Sequence, residues 1–190
     1  MSWYDERFPK PEMTEEEFTF LASDLNQYTH LLEYGSGHST PNLAPLVKEL
    51  TTVDHHPEWY EKVKGMCEEF DNVRHVLVPL NKPRVIPDGW SKTPEARYGF
   101  PTPWECVVDY ATWPMTQHQP MRPELPRKWN VVFIDGRARQ WVGEFVRPNL
   151  WGNSVVFVHD YPERERYFTL ENSYDKIEVV GTLAKFKLKV

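Results

Sequence analysis

A short turn with two glycines, GSGHST, follows an apolar run and offers a place where a ligand can meet the backbone. Gly35 and Gly37 can adopt positive φ and allow a close approach of the chain. The dinucleotide fingerprint needs a third glycine three residues after the second, and Thr40 stands there instead. The turn also lacks the Lys-Ser/Thr pair of a P-loop. The turn therefore disfavours a nicotinamide oxidoreductase. The purely structural alternative is a tight strand-to-helix turn that binds no ligand.

An acidic residue, Asp54, ends the next apolar run, LTTVD, where it is placed to accept hydrogen bonds from ribose hydroxyls. A turn without the diphosphate fingerprint, followed by such an acid, fits S-adenosylmethionine better than a dinucleotide. Glu33 precedes the turn, and its carboxylate is expected near the positive sulfonium or amino group of that cofactor. The predicted cofactor-binding residues are Glu33, Gly35, Ser36, Gly37, Ser39, Thr40, Asp54 and His55.

Two further acids and a histidine end the last two predicted parallel strands. Asp135 follows WNVVFI, and His159 and Asp160 follow SVVFV, so all three are expected to point into one cleft. His159 is the natural general base for a hydroxyl proton, with the aspartates orienting it. Alternatively, the three residues hold a divalent ion such as Mg²⁺ or Mn²⁺ that lowers the pKa of the hydroxyl. Asp135, His159 and Asp160 are thus the predicted catalytic residues and, in the alternative role, the metal ligands.

Each of these three residues also has a structural interpretation. His159 would be a buried histidine bonded to backbone, Asp160 an N-cap of the helix predicted for PERERYF, and Asp135 a turn residue. Arginines follow the acids closely, and they either bind a carboxylate on the acceptor bidentately or lie on solvated helix faces. These arginines are Arg137, Arg139, Arg164 and Arg166.

The elements that position these residues alternate between strand and helix. Thr14 and Glu17 have capping-box spacing and begin an amphipathic helix. The Thr40-Pro41 pair predicts a helix capped by Thr40 and running to about Leu50. Such alternation implies parallel pairing with right-handed crossovers, hence an α/β, Rossmann-like three-layer sandwich. The predicted strands are HLLEY, LTTVD, VRHVLVPL, WNVVFIDG, SVVFVHD and the two runs of DKIEVVGTLAKFKLKV; the other predicted helices are PEWYEKVKGMCEEF, RQWVGEFVRPNL and PERERYF.

One segment, residues 79–128, interrupts the alternation. It holds more than half of the chain's 17 prolines together with Trp90, Trp104 and Trp113. TPWE predicts one helix inside it, capped by Thr102. Long loops in compact domains are often functional, and flat aromatic rings suit the apolar faces of sugars. We therefore expect a single domain, residues 1–190, in which this insertion forms a substrate lid; the alternative is that each tryptophan only anchors the loop.

The motifs LLEYGSGHST, TTVDHHPEWYEKVK, WNVVFIDG and the final hairpin together resemble the class I S-adenosylmethionine-dependent methyltransferases. The resemblance covers most of the chain and implies a mostly parallel seven-stranded sheet that finishes with an antiparallel hairpin. SVVFVHDYPERERYF and FIDGRAR are similar to segments of the xylan glucuronate O-methyltransferases and their polysaccharide-biosynthesis relatives. Macrolide-sugar O-methyltransferases have a comparable pattern with metal-binding acids, where this chain has Arg137 and His159.

The resemblance implies an O-methyltransferase acting on a sugar or glycan hydroxyl, with S-adenosylmethionine and, in one version, a divalent metal ion. The alternatives are a metal-dependent O-methyltransferase of small phenolic or natural-product hydroxyls and a non-catalytic binding module with this fold. A net charge of −6 disfavours a nucleic-acid partner. No apolar run is long enough to span a membrane, and the N-terminus lacks a signal-peptide pattern. Two cysteines without CxxC spacing fit a soluble protein of a reducing, cytoplasmic compartment.

Overall fold

A seven-stranded sheet forms the centre of the chain, and the computed structural model describes residues 3–81, 104–119 and 122–189. A separate pair of short strands lies between residues 118 and 126. The strands are β1 (His30–Tyr34), β2 (Glu49–Asp54), β3 (Val73–Leu77), β4 (His118–Gln119), β5 (Arg122–Pro126), β6 (Trp129–Ile134), β7 (Leu150–Val158), β8 (Tyr174–Val180) and β9 (Leu183–Leu188).

The main sheet has the order β3-β2-β1-β6-β7-β9-β8. β1 pairs in parallel with β2 and β6, and the outer neighbours β3 and β7 continue the parallel part. β9 pairs antiparallel with both β7 and β8. The predicted fold class is thereby confirmed, including the C-terminal hairpin, which turns at Gly181 with φ +55°. Strand order reverses between β1 and β6, and ligands of such sheets bind at that point.

Apolar side chains along the strands point alternately to the two faces of the sheet, and they form one hydrophobic core on each face. On β1, Leu31 joins one core while Leu32 and Tyr34 join the other. The period of two in side-chain direction explains this split. Both cores are covered by helices: Phe18 belongs to the first core and Tyr110 to the second. The result is a three-layer sandwich with the parallel strands in its central layer.

The helices are α1 (Glu15–Ala22), α2 (Ser39–Leu43), α3 (Pro57–Met66), α4 (Trp104–Thr112) and α5 (Arg139–Phe145). The capping box of α1 is confirmed, since the Thr14 hydroxyl accepts from the Glu17 N–H and the Glu17 carboxylate accepts from the Thr14 N–H. The helix predicted from Thr40 to Leu50 is wrong in both bounds. His38 is the N-cap residue, a 3₁₀ turn over Ala44–Leu46 follows α2, and Leu50 lies in β2. Pro45 within this turn cannot donate a helical hydrogen bond.

The segment after β7 also differs from its prediction. PERERYF predicts a helix capped by Asp160, but a 3₁₀ helix spans Glu165–Asn172 and its N-cap residue is Arg164. Asp160 lies in the left-handed region with φ +54°, which is uncommon for a residue other than glycine. The capping interpretation of Asp160 is therefore wrong, and its carboxylate is used elsewhere.

Within the 79–128 insertion, the described residues form α4, the Trp113–Thr116 3₁₀ turn and the β4–β5 pair. Trp113 packs near Tyr34 and Trp129, with ring centres 6.5 and 6.3 Å away, so this residue anchors the segment to the core. Trp90 and the predicted cap Thr102 lie outside the described residues, and the lid remains a prediction. None of the helices in the described ranges combines the length and apolarity that a membrane span requires.

Candidate functional site

A cavity of about 570 Å³ opens where β1, β2 and β6 end, which is the position expected from the reversal of strand order. Most of its walls come from the segments that follow these three strands and β7, and the segment before α1 and the helix α4 contribute the rest. The lining residues are Glu12, Met13, Gly35, Ser36, Gly37, His38, Ser39, Asp54, His55, His56, Trp59, Val107, Asp135, Gly136, Arg137, Ala138, Arg139, Gln140, Trp141, Arg164, Arg166 and Tyr167.

Two glycines make the floor of this cavity possible. Gly35 has φ +87°, and a Cβ atom on it would lie 2.6 Å from the Gly136 nitrogen. Its own N–H donates to the Val53 carbonyl at 2.8 Å, which fixes the turn to the end of β2. The turns after β1 and β6 therefore touch backbone to backbone, and a side chain at Gly35 is excluded by both space and conformation. At Gly37, by contrast, the nearest atom to a Cβ would be Ser39 Oγ at 3.8 Å.

Glu33 lies beneath the glycine turn and is fully buried. Its carboxylate accepts hydrogen bonds of 2.7 Å from the hydroxyls of Ser39, Thr40 and Thr52. Burial raises the pKa of Glu33 to about 7, and the three hydroxyl donors only partly oppose this shift. Thr40 also accepts from the Gly37 N–H at 2.9 Å. Glu33 therefore ties the turn together from below.

The predicted cofactor residues thus divide into two groups. Glu33 and Thr40 are absent from the cavity wall, because their side chains bond to each other inside the protein. The structure thus places Glu33 beneath the turn, and direct contact between Glu33 and the cofactor stays a prediction. The residues that line the cavity are Gly35, Ser36, Gly37, Ser39, Asp54 and His55.

Asp54 lies on the cavity wall at the end of β2. Its Oδ1 accepts from the His56 N–H at 2.7 Å, and the Ser36 hydroxyl bonds to the same carboxylate. Burial raises the pKa of Asp54 against these hydrogen bonds. Next to it, burial lowers the pKa of His55 to about 4, helped by the charges of Arg137 and His56. His55 is therefore neutral near pH 7, and Asp54 is an acceptor fixed in place by its neighbours.

An aromatic wall that the sequence does not predict stands beside Asp54. Trp59 donates its indole N–H to the Ser36 carbonyl at 2.6 Å, and its ring centre lies 5.3 Å from that of His38. Both residues line the cavity. His38 is part of the GSGHST turn and Trp59 lies in the first turn of α3, but their meeting depends on the crossover between β1 and β2. The sequence alone carries no signal for that contact.

Asp135 and His159 form a hydrogen-bonded pair on the other side of the cavity. The His159 Nδ1 lies 2.9 Å from Asp135 Oδ1, and its Nε2 lies 3.7 Å from Glu17 Oε2. Burial opposes the charged imidazole, but the hydrogen bond to Asp135 and the charges of Asp135 and Asp160 outweigh it and raise the pKa of His159. Asp135 lines the cavity and its side chain is 26% exposed, whereas His159 is only 8% exposed and lies behind it.

Glu17 is a member of this cluster that the sequence did not reveal as a site residue. Besides capping α1, its Oε1 accepts from the N–H and the hydroxyl of Thr182 at 2.6 and 2.8 Å. Burial raises the pKa of Glu17, but the bonds from Thr14 and Thr182 and the nearby His159 outweigh it and lower the pKa to about 2. Its capping-box motif predicts the helix start; only the fold shows that the same carboxylate faces His159.

Arg139 occupies the centre of the acidic cluster. Its Nη2 lies 3.1 Å from Asp135 Oδ1 and 3.0 Å from Asp160 Oδ2. Arg164 adds a second cation, 2.8 Å from Asp160 Oδ2. The predicted metal ligands Asp135, His159 and Asp160 do come together, with candidate ligand atoms within 4.8 Å of one another. In the same cluster, the guanidinium of Arg139 bridges the two aspartates.

All four arginines of the sequence motif line the cavity, and three of them surround the buried ring of Tyr167. The guanidinium of Arg166 lies 4.8 Å from the ring centre, and those of Arg139 and Arg164 lie 5.8 and 5.9 Å from it. Arg139 is buried, which excludes the solvated-face interpretation for this residue, and Arg137, Arg164 and Arg166 are partly buried. Trp141, which also lines the cavity, is 42% exposed and its ring lies 5.0 Å from that of Trp104.

Comparison with solved structures shows the same fold. A methyltransferase-like protein from Silicibacter pomeroyi is 20% identical, with a TM-score of 0.68 over 97% of this chain and 90% of that one. The Methanococcus jannaschii fibrillarin, a pre-rRNA processing protein, is 10% identical, with a TM-score of 0.59 over 99% and 84% of the two chains. Aeropyrum pernix fibrillarin, determined with natively bound S-adenosyl-L-methionine, is 11% identical, with a TM-score of 0.55 over 87% and 68%. No protein-family model and no curated protein sequence matches the chain. The chain has the class I methyltransferase fold.

Proposed function

We propose that this protein is an S-adenosylmethionine-dependent methyltransferase whose cofactor binds in the cavity beside the glycine turn. The observation that carries the proposal is that Asp54 and the turn from Gly35 to Ser39 share one cavity wall. A fixed carboxylate at the end of the second strand suits two ribose hydroxyls, since a charged acceptor makes strong hydrogen bonds. Aeropyrum pernix fibrillarin, which is similar in fold, was determined with natively bound S-adenosyl-L-methionine, and this supports the choice of cofactor.

The remainder of this wall suits the other parts of the cofactor. The rings of His38 and Trp59 offer flat apolar surface for a purine base. Gly37 leaves space above the backbone, since the atom nearest to a Cβ placed on it would be Ser39 Oγ at 3.8 Å, so a ligand can lie against it. Glu33 supports these contacts indirectly by holding the hydroxyls of Ser39 and Thr40.

For the acceptor, we propose a hydroxyl of a sugar or glycan. Trp141, exposed at the cavity and close to Trp104, offers an aromatic surface for the apolar face of a sugar. Arg164 and Arg166, which line the cavity beside Tyr167, suit a carboxylate on that sugar. Asp135 is the carboxylate of the cluster that lines the cavity, and it would accept the hydrogen bond of the reacting hydroxyl, while His159 and Arg139 hold it in position. The similarity of SVVFVHDYPERERYF to glucuronate-modifying enzymes agrees with such an acceptor.

The first test is calorimetric titration with S-adenosylhomocysteine. Wild type should bind with micromolar affinity, and Asp54→Ala should bind about tenfold more weakly or worse, because it loses charge-assisted hydrogen bonds. Asp175→Ala removes one exposed carboxylate from the sheet edge and should bind like wild type. Absence of binding by wild type would favour a non-catalytic protein with this fold, and equal binding by both variants would remove Asp54 from the site.

Transfer of a labelled methyl group then separates the acceptors. Acidic glycans should be methylated, whereas methylation of catechols alone would favour the small-phenolic alternative. RNA belongs in the same panel because one structural relative is a pre-rRNA processing protein, although the acidic charge of this chain predicts no nucleic-acid partner. Cofactor binding without transfer to any acceptor would support the binding-module alternative.

A further inference from the structure

We infer that the guanidinium of Arg139 takes the place of a divalent ion between Asp135 and Asp160, so that this cluster is completed without metal. The inference rests on the geometry of the cluster and is independent of the proposed methyl transfer. It reverses the metal role predicted from the sequence, and it assigns to Arg139 the role of a positioning residue for the carboxylate that lines the cavity.

The donor set alone would suit a divalent ion. Two carboxylates and an imidazole are ligands that Mn²⁺ accepts readily, and their candidate atoms lie within 4.8 Å of one another. An ion bound there would bridge the ends of β6 and β7, because Asp135 follows the first strand and Asp160 follows the second. The space between these oxygens, however, already holds another cation.

Arg139 makes the bridge that such an ion would make. One nitrogen, Nη2, contacts an oxygen of Asp135 at 3.1 Å and an oxygen of Asp160 at 3.0 Å. The other two guanidinium nitrogens donate to backbone carbonyls at the same two strand ends. Nε donates to the Gly136 carbonyl at 3.0 Å, and Nη1 donates to the His159 carbonyl. The planar guanidinium thus bonds to both turns at once, which matches the fixed geometry of its donors.

Charge and burial hold this arginine in place. Arg139 is 7% exposed, so a metal could displace it only by leaving a buried cation without its carboxylates. Arg164 contacts Asp160 as well, so the two aspartates already face two positive side chains. The third donor is also engaged, because His159 uses Nδ1 for Asp135 Oδ1. A dication would have to break several of these contacts to find its ligands.

The test measures Mn²⁺ binding by electron paramagnetic resonance, with the metal alone as the probe. Wild type should leave millimolar Mn²⁺ free in solution. Arg139→Met removes the charge while keeping much of the apolar stem, and it should create one Mn²⁺ site that is abolished by adding Asp160→Asn. Arg147→Met is the matched control, since Arg147 forms an exposed pair with Glu144 on the far end of α5, and it should bind no Mn²⁺.

Two results would overturn the inference. The first is stoichiometric Mn²⁺ binding by the wild-type protein that Asp160→Asn abolishes. This result would overturn the inference even if the Arg139→Met variant did not fold. The second is a folded Arg139→Met protein that binds no Mn²⁺, because the guanidinium would then not be what keeps the ion out. Neither readout depends on S-adenosylhomocysteine binding, so failure of the proposed function would leave this test interpretable.

Discussion

Two buried glutamates, one on each side of the cavity, are held in opposite ways. Glu33, under the glycine turn, meets three neutral hydroxyls, and burial raises its pKa to about 7. Glu17, behind Asp135 and His159, accepts from two backbone N–H groups and a hydroxyl and faces an imidazole, and its pKa falls to about 2. Neutral dipoles organise the side of the cavity proposed for the cofactor, called the cofactor side below, and charged groups organise the side proposed for the acceptor, called the acceptor side.

This difference has a chemical logic. The shape of a turn that lies against a ligand depends on its backbone conformation. That conformation is fixed by Gly35 and by the hydroxyls that bond to the buried Glu33. In the proposed function, the opposite side holds a carboxylate near a reacting hydroxyl, and fixed charges can preorganise that carboxylate electrostatically. We therefore expect different kinds of substitution to disrupt the two sides of the cavity.

The largest effect is expected from Gly35→Ala on the cofactor side. The positive φ and the overlap with Gly136 should destabilise the protein by roughly 2–5 kcal/mol. Gly37→Ala is the matched control: it should change the free energy of unfolding by less than about 1 kcal/mol and still weaken S-adenosylhomocysteine binding. Urea unfolding measures the first effect and calorimetry the second; equal destabilisation by both variants would contradict the described turn.

A somewhat smaller effect is expected from Glu17→Ala on the acceptor side. The variant leaves the N–H groups of Thr14 and Thr182 without their acceptor and should lose about 2–3 kcal/mol of the free energy of unfolding. Glu16→Ala removes an exposed carboxylate from the same helical turn and should lose less than about 0.5 kcal/mol. Urea unfolding at pH 7 tests the pair, and similar losses would show that the Glu17 contacts do not hold α1 to the hairpin.

The smallest and most specific effect is the pH dependence, which should have opposite signs on the two sides. Glu33 has a raised pKa, so its contribution to stability is full below about pH 4.5 and is lost as the pH rises to about 7. Glu17 has a lowered pKa, so its contribution is present above about pH 4.5 and is lost as the pH falls toward 2.

Replacing each acid by glutamine removes its own titration. The stability difference between wild type and Glu33→Gln should therefore decrease with rising pH, and the difference between wild type and Glu17→Gln should decrease with falling pH. Thermal unfolding over the pH range measures both curves. If the two stability differences changed in the same direction with pH, the contrast between the dipolar and the charged side would be contradicted.

The same contrast explains how far the sequence could be interpreted. The fold and the cofactor turn depend on local signals: alternating apolar strands, GSGHST between a strand and a helix, and Asp54 at a strand end. Apart from the Asp135–Arg139 pair, which is four residues apart, the acceptor side depends on contacts between distant segments, because Glu17 and His159 lie far from this pair in the chain. No spacing rule predicts that a capping glutamate faces a histidine far along the chain, or that one arginine bridges two strand ends.

Errors in the predicted elements have similarly local causes. The helix expected from Thr40 is short because Pro45 interrupts it and because the Thr40 hydroxyl serves Glu33 instead of a cap. The sequence shows that Glu33 precedes the turn, and this position led to the expectation that it meets the ligand. The sequence does not show that the side chain of Glu33 points into the core.

Binding of the cofactor against the dipolar side of the cavity is the central claim. Titration of isotope-labelled protein with S-adenosylhomocysteine, followed by amide chemical shifts in nuclear magnetic resonance spectra, tests this claim most directly. We predict the largest shifts at Ser36, Gly37 and His55, with smaller ones at Asp160 and Arg166. Shifts confined to the segment after β7, or none at all, would contradict it.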